Sequence, residues 1–260
     1  RGGRPAGLAQ RLGHCPPLAW FAADADDPCL AAHRARNGST CGVRAGRLVL
    51  AHGGVEHDLG EVARMPLSVG GRAGYNVANL AAAALAAAGL GVAPATVAGV
   101  FSRFGARVID NPGRLMRFAR NGVQVLVDYA HNPEGLAGLL DVARSLLAEG
   151  GRLGLVLGHA GNREDGDIER LAATAAQFAP ALVVVKELEG YLRGREPGEV
   201  PRILHAALLR AGLPDAALTM QSTELDAVRC ALEWGRPGDV LALPVHGLAA
   251  RAAVLEMLQA

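Results

Sequence analysis

From residue 123 onward, short apolar runs alternate with amphipathic stretches in a rhythm that admits few architectures. The runs at 123–127, 153–157, 182–185 and 240–243 are of strand length and apolar but for Gln124, and a shorter one lies near 217–220. Between and after them, 134–148, 167–178, 199–211, 224–234 and 247–258 space their apolar residues at helical intervals. Strands that are apolar throughout, separated by helices, imply βαβ units and a mostly parallel sheet covered on both faces. The expected fold class is therefore α/β, with a Rossmann-like C-terminal sheet flanked by helices. Ligands of such sheets sit beyond the carboxyl ends of the strands, which singles out 128–133, 158–167 and 186–199.

The first part of the chain has a different character. Residues 18–21, 42–43 and 47–51 are expected strands broken by turn residues, and two Ala-rich helices follow at 77–88 and 94–104. Residues 77–101 raise the question of a membrane span, but alanine anchors weakly, and Gly89, Gly91 and Pro94 interrupt the run. We expect two helices joined by a turn, with Pro94 in the first turn of the second. Asp110-Asn-Pro-Gly113 marks a further turn and a hinge. The expected organisation is a partial domain over 1–111 and a complete one over 112–260, with no internal repeat.

Charge excludes more than it assigns. Acids and bases nearly cancel at +1, so no basic field exists to recruit nucleic acid, and aromatic residues make up 4% of the chain, which leaves few stacking platforms for it. Lys186 is the only lysine, and it follows Val183-Val-Val185, so no Gly-Lys-[Ser/Thr] phosphate loop is present. Lysine-based Schiff-base chemistry and carbamoyl-lysine metal sites meet the same shortage. Cys15, Cys29, Cys41 and Cys230 lack C-x-x-C or zinc spacing and read as reduced thiols. The chain opens at Arg1 without the apolar run of a signal peptide, so a cytoplasmic location away from membranes is expected.

Each strand end offers chemistry and a plainer alternative. Asp128-Tyr-Ala-His-Asn-Pro133 places a carboxylate, an imidazole and an amide on one corner. Asp128 can hold a ribose hydroxyl or orient water on a metal, and His131 can contact phosphate or titrate near neutrality. Alternatively, Asp128 or Asn132 caps the next helix. Gly158-His-Ala-Gly-Asn-Arg-Glu-Asp165 can cradle an anion with backbone amides and Arg163, or it is a solvated turn. The loop 186–199 carries Glu187, Glu189, Arg193 and Arg195, whose forks and carboxylates can recognise an amino acid, or which are simply solvated. The dinucleotide fingerprint is missing, which argues against a Rossmann oxidoreductase.

Taken in order, Gly74-Tyr-Asn-Val-Ala-Asn79-Leu-Ala-Ala, Pro112-Gly-Arg114, Val127-Asp-Tyr-Ala-His-Asn-Pro-Glu-Gly135 and the Gly158 loop resemble the back half of Mur-type ATP-dependent amide ligases. Asp27-Pro-Cys-Leu-Ala-Ala-His33-Arg, Arg44-Ala-Gly-Arg-Leu-Val-Leu50 and Arg193-Gly-Arg-Glu-Pro-Gly-Glu199 bring the chain nearest to the Mur-like module of cyanophycin synthetases. The resemblance implies the tail of a Mur-type central α/β domain followed by the whole C-terminal domain. It implies that Asn79 touches adenine, that Arg114 approaches the ATP phosphates, and that Asp128 and His131 lie at the ribose and phosphates. ATP with Mg²⁺ would activate a carboxylate as an acyl phosphate, and an amine, arginine in cyanophycin synthetases, would attack it. Arg163, Glu187, Glu189, Arg193 and Arg195 become candidates for recognising the amino acid or peptide substrate.

Three departures accompany the likeness. Tyr75 stands where Mur ligases usually have His, Leu188-Glu-Gly-Tyr-Leu192 is less acidic than the corresponding cyanophycin synthetase loop, and Gly161-Asn-Arg-Glu164 replaces a Gly-Asp-Arg-Arg type loop. Missing N-terminal domains of the same protein are expected to supply the phosphate loop, so the chain alone is expected to be inactive. A homo-oligomer is left open, as is a catalytically degenerate paralogue serving as a scaffold.

Overall fold

The computed structural model describes residues 18–259, so Cys15 and the opening segment lie outside the described residues. The chain divides into two compact units, Arg1–Ala106 and Arg107–Ala260.

In the first unit, β1 (Ala19–Asp24), α1 (Pro28–Arg34), β2 (Ser39–Arg44), β3 (Arg47–His52) and β4 (Val55–Glu61) precede α2 (Gly74–Gly89) and α3 (Pro94–Phe101). The sheet runs β1-β2-β3-β4, parallel between β1 and β2 and antiparallel thereafter. Leu48 and Leu50 of β3 enter one core with Leu80, Ala81, Ala84 and Leu85 of α2. Alanine at these helix positions explains why the run at 77–88 is so poor in large side chains: small residues let the helix sit close to its neighbours. Strand β4 was not expected. It is the return arm of a hairpin whose two-residue turn, Gly53-Gly54, has positive φ at both positions, which suits the twist of the flanking strands. Among the described residues no helix is long and apolar enough to cross a membrane.

The second unit is the expected α/β sheet. Its elements are β5 (Met116–Arg120), β6 (Val123–Asp128), α4 (Pro133–Ser145), β7 (Leu153–Leu157), α5 (Asp165–Ala176), β8 (Leu182–Lys186), α6 (Glu199–Arg210), β9 (Leu218–Gln221), α7 (Glu224–Trp234), β10 (Val240–Pro244) and α8 (Leu248–Gln259). The strand order is β5-β6-β10-β7-β8-β9, with every pair parallel except the edge pair β5-β6. Every residue of β7, β8 and β10 is buried, which is why these runs are apolar without alternation. On α4, Leu136, Leu139, Leu140 and Ala143 form the buried stripe. The helix stops at Ser145 rather than at residue 148, because Ser145 Oγ turns back to the Val142 carbonyl at 2.7 Å and the chain enters a Gly-rich turn.

Strand β5 was likewise missed. Asn121-Gly122, with φ of 50° and 77°, forms the two-residue turn that folds β5 back onto β6. Insertion of β10 between β6 and β7 has the greater consequence. It brings the carboxyl end of β10 into the middle of the edge where ligands of such sheets bind, with Pro244 level with Asp128.

Candidate functional site

Asp128 ends β6 and is 7% exposed. Its Oδ2 accepts from the Leu115 amide at 2.6 Å, holding Leu115 at a φ of 44°, a left-handed conformation that a branched side chain rarely adopts. Burial pushes the carboxyl pKa up, while the Leu115 amide and the nearby Arg114 guanidinium favour its charged form. Asp128 therefore ties the 113–115 turn to the end of β6. Asn132, not Asp128, caps α4: its side chain accepts from the Gly135 amide at 2.7 Å, with Pro133 in the first turn.

The rings at this corner pack together. Arg114 lies 5.0 Å and Arg251 5.6 Å from the Tyr129 centroid, and both His131 and His246 lie 5.2 Å from that ring. His131 is half-buried. His246, just past β10, is buried, with Nε2 3.2 Å from the Ala130 carbonyl and Nδ1 3.4 Å from Glu224 Oε1. Burial pushes its pKa down, opposed by Glu224.

Beneath the corner lies a fully buried ion pair. Lys186, at the end of β8, donates to Glu224 at the start of α7 and to the Pro244 carbonyl at 2.5 Å. Glu224 also accepts from the backbone amides of His246 at 2.9 Å and Gly247 at 2.6 Å. Burial raises the Glu224 carboxyl, but His246, Lys186 and these amides outweigh it and hold the pKa well below the usual carboxylate range. Burial pushes Lys186 down against the pull of Glu224. The lone lysine is thus a clasp joining the ends of β8, α7 and β10, not a reactive group in an open loop.

The loop after β7 closes the other side. Gly158 leaves no room for a Cβ, which would fall 2.8 Å from Cγ of Lys186. His159 is buried, and burial together with the neighbouring Arg163 pushes its pKa down to about 4. Arg195 stitches this loop to the 186–199 loop: it donates to the carbonyls of Gly161 at 3.0 Å and Arg163 at 2.7 Å, and to Glu199 at 2.6 Å and Asp165 at 2.7 Å.

The expected site residues therefore separate. Tyr129, His131, His159, Arg163, Arg193 and His246 line one cleft. Arg114 stands beside it on the Tyr129 ring. Glu187 instead accepts from the Gly198 amide at 2.7 Å, Arg195 is spent on its four partners, and Glu189 is exposed outside the cleft lining. Asn79, in the first unit, is exposed on α2 and donates to Asn76 at 3.4 Å. His159, His246 and Tyr129 were not foreseen as site residues. The strand-end rule already used for β6, β7 and β8 would have found His246 had it been applied to β10. Among the described residues no group of three or more His, Cys, Asp or Glu gathers for a metal ion. Mg²⁺ here would rest on nucleotide phosphates and at most one or two carboxylates, its usual habit.

Residues 113–243 match the family described as Mur ligase, glutamate ligase domain. The cyanophycin synthetase of Synechocystis sp. is 30% identical over 216 residues, covering 83% of this chain and 24% of that protein. The UDP-N-acetylmuramoyl-L-alanyl-D-glutamate–2,6-diaminopimelate ligase of Corynebacterium efficiens is 30% identical over 198 residues, covering 73% of this chain and 34% of that protein. The chain thus spans about a quarter to a third of the length of these relatives. Among solved structures, E. coli FolC in complex with ADP superposes with a TM-score of 0.61 at 19% identity, over 98% of this chain and 50% of that one, a likeness of fold.

Proposed function

This chain belongs to the Mur ligase family and carries its glutamate ligase domain, and from that premise we propose that it is the C-terminal part of an ATP-dependent ligase joining a carboxylate to the amine of an amino acid. The reading includes a boundary near residue 111, with the tail of a Mur-type central domain before it. The observation that carries it is the convergence of Arg114, Tyr129, His131 and Arg163 at the carboxyl ends of β6 and β7, where an α/β sheet binds its ligand.

In this reading the γ-phosphoryl group of ATP passes to the substrate carboxylate, giving an acyl phosphate and ADP. The amine nitrogen then attacks the acyl carbon, the amide forms, and inorganic phosphate and a proton leave. Arg114 and His131 would meet phosphate oxygens, where their donors offset developing negative charge. Asp128 would serve the ribose with the oxygen not held by Leu115. Asn79 would contact adenine, as the likeness to Mur ligases implies. The sequence offers no Gly-Lys-[Ser/Thr] loop, so the γ-phosphate is assigned to residues of the same protein outside this chain. The cyanophycin synthetase relatives make arginine the first amine to try, and an aspartate side chain the first carboxylate.

The test is phosphate release by the intact gene product with ATP, Mg²⁺ and an aspartate-rich peptide, with and without an amino acid. Asp128→Ala and His131→Ala should each raise the KM for ATP while leaving the thermal midpoint of the His131 variant unchanged. Amine-independent release, or unaltered nucleotide use in both variants, would overturn the assignment. Failure of the intact protein to bind ATP at all would support a degenerate scaffold.

A further inference from the structure

Arg251 takes no part in the proposed reaction, yet it stands at the corner that Arg114 and Tyr129 share. It lies in the first turn of α8, where the helix dipole disfavours a cation, and is half-buried. Nη2 donates to the His246 carbonyl at 3.2 Å, and Nε is buried without a hydrogen-bond partner. Among the described residues no ion pair forms at this guanidinium. Drying a charged group for one carbonyl and one ring costs free energy that a Leu or Met in the same space would not. What the guanidinium does there follows from its flat shape.

A Cβ on Gly113 would fall 2.4 Å from Nη1 of Arg251, 2.8 Å from Cζ and 3.0 Å from Nε, so the guanidinium lies against the bare Cα of that glycine. Gly113 has a φ of 74°, and its amide donates to Met116 Sδ at 3.0 Å. It opens the same turn that the Asp128 carboxylate holds at the Leu115 amide. Arg114 sits between these two anchors, exposed, with no side-chain hydrogen bond or ion pair among the described residues. Its side chain rests on the Tyr129 ring at 5.0 Å, and Arg251 stands 5.6 Å from the same centroid. Two guanidiniums beside one ring repel each other, so the place of Arg251 limits the places open to Arg114.

We propose that Arg251 is a positioning residue: wedged against Gly113 and Tyr129, it sets where Arg114 stands and so where a nucleotide phosphate is met. This rests on the ligase reading above, in which Arg114 serves phosphate. A lysine cannot take the place, because an ammonium has no plane to lie flat on a glycine Cα and a ring. The C-terminal helix thereby reaches the nucleotide without touching it.

The experiment places Arg251→Met, which keeps an apolar stem, and Arg251→Lys, which keeps the charge, in the intact gene product. Hydrogen exchange read by mass spectrometry on the peptide spanning 112–116 comes first, because it needs no nucleotide. In both variants its amides should exchange at least about tenfold faster than in the parent. The KM for ATP should rise about tenfold in both, while the KM for the amine stays in place. In an Arg114→Ala background Arg251→Met should change the KM for ATP by less than about twofold, since the residue it positions is gone. Unchanged exchange at 112–116 overturns the inference. So does faster exchange with an unchanged KM for ATP, which leaves Arg251 a packing residue only, and so does an ATP defect that persists in full without Arg114. Parent-like behaviour of Arg251→Lys overturns it too, because charge alone would then suffice. A parent that binds no ATP overturns the ligase reading and this role with it, an outcome recognised by the failure of the parent itself.

Discussion

In the first unit, Arg44 bridges Asp26 and Glu56 at 2.7 and 2.9 Å, and Arg47 bridges Asp58 and Glu61 at 2.7 and 3.3 Å, all with side chains at least one-third exposed. In the second, Lys186 and Glu224 form their pair at 0% and 4% exposure beneath the cleft. In both places a basic side chain meets a carboxylate, guanidinium in the first unit and ammonium in the second, but solvent reaches only the first. An exposed pair gains little because water and salt screen it. A buried pair is tolerated only when each partner is satisfied, and then its removal in halves is severe. Glu224 meets that condition with Lys186 and two backbone amides, and in doing so locks the ends of β8, α7 and β10. The second unit thus holds rigid the strand ends that shape the cleft, and the first decorates a sheet surface.

Glu224→Ala should show the largest effect. It leaves the Lys186 ammonium buried without a counter-ion and orphans the amides of His246 and Gly247, a loss of about 3–5 kcal/mol by the usual cost of splitting a buried pair. Urea denaturation at neutral pH measures it. Replacing both partners, Lys186→Met with Glu224→Gln, should recover part of that loss, because no bare charge remains. A cost for Glu224→Ala no greater than that of a surface substitution would remove burial as the explanation of the contrast.

Next comes pH. His159 has its pKa pushed from 6.5 to about 4 in the folded state, chiefly by burial and then by Arg163. The unfolded chain therefore binds the proton first as pH falls, so stability is full above about 6.5 and declines down to about 4. The shift corresponds to about 3 kcal/mol, with His246 acting in the same direction. Asp26, Glu56 and Asp58 of the first unit have lowered pKa values, so their contribution is lost only below the usual carboxylate range. The two tryptophans, Trp20 and Trp234, lie one in each unit. Single-tryptophan variants should therefore report a second unit that weakens between pH 6.5 and 4 and a first unit that does not. His159→Gln should flatten the slope of the second, and an unchanged slope would remove His159 as its source.

A gentler probe compares two glycines. A Cβ at Gly161 would fall 2.0 Å from the Leu192 carbonyl oxygen, whereas one at Gly74, the first residue of α2, meets nothing within 4 Å. Gly161→Ala should cost about 1–3 kcal/mol, the range for overpacking, and prise the two cleft loops apart. Gly74→Ala should be neutral or stabilising by a few tenths of a kcal/mol. Equal effects at the two positions would mean that the loop contact at Gly161 is not rigid.

These contrasts also explain what the sequence disclosed. The strands β7, β8 and β10 were legible because burial on both faces leaves an unbroken apolar run, β6 because Gln124 alone interrupts its run, and the helices because each buries only one stripe. Strands β4 and β5 lie at sheet edges and carry charged residues among their apolar ones, so only their turns, Gly53-Gly54 and Asn121-Gly122, betrayed them. Of the candidate residues, His131, Arg163 and Arg193 come together in one cleft, as their positions after strand ends led us to expect. The partners of Glu187 and Arg195 were not legible, because a charge spent on a distant carbonyl looks the same in sequence as one facing a ligand. His246 follows the legible apolar run of β10 and so is a strand-end residue in the sequence; what strand order alone supplies is its place beside Asp128, with β10 between β6 and β7.

The smallest expected effect is at Arg44, and its smallness is informative. Arg44→Gln breaks two short ion pairs at once, with Asp26 and Glu56, so a count of bonds would rank it beside Glu224→Ala. Solvent replaces both partners as soon as the guanidinium is gone, and no amide or carbonyl is left dry. The denaturation midpoint of the first unit, followed through Trp20, should stay within experimental scatter in dilute buffer and in 1 M salt alike, about 3 Å of Debye length at the latter. The pKa values of Asp26 and Glu56, both held down by Arg44, should meanwhile rise toward the ordinary carboxylate range in an NMR titration. Titration that moves while stability stands still would separate the existence of an ion pair from its worth, and would leave burial as the property that makes the clasp under the cleft structural.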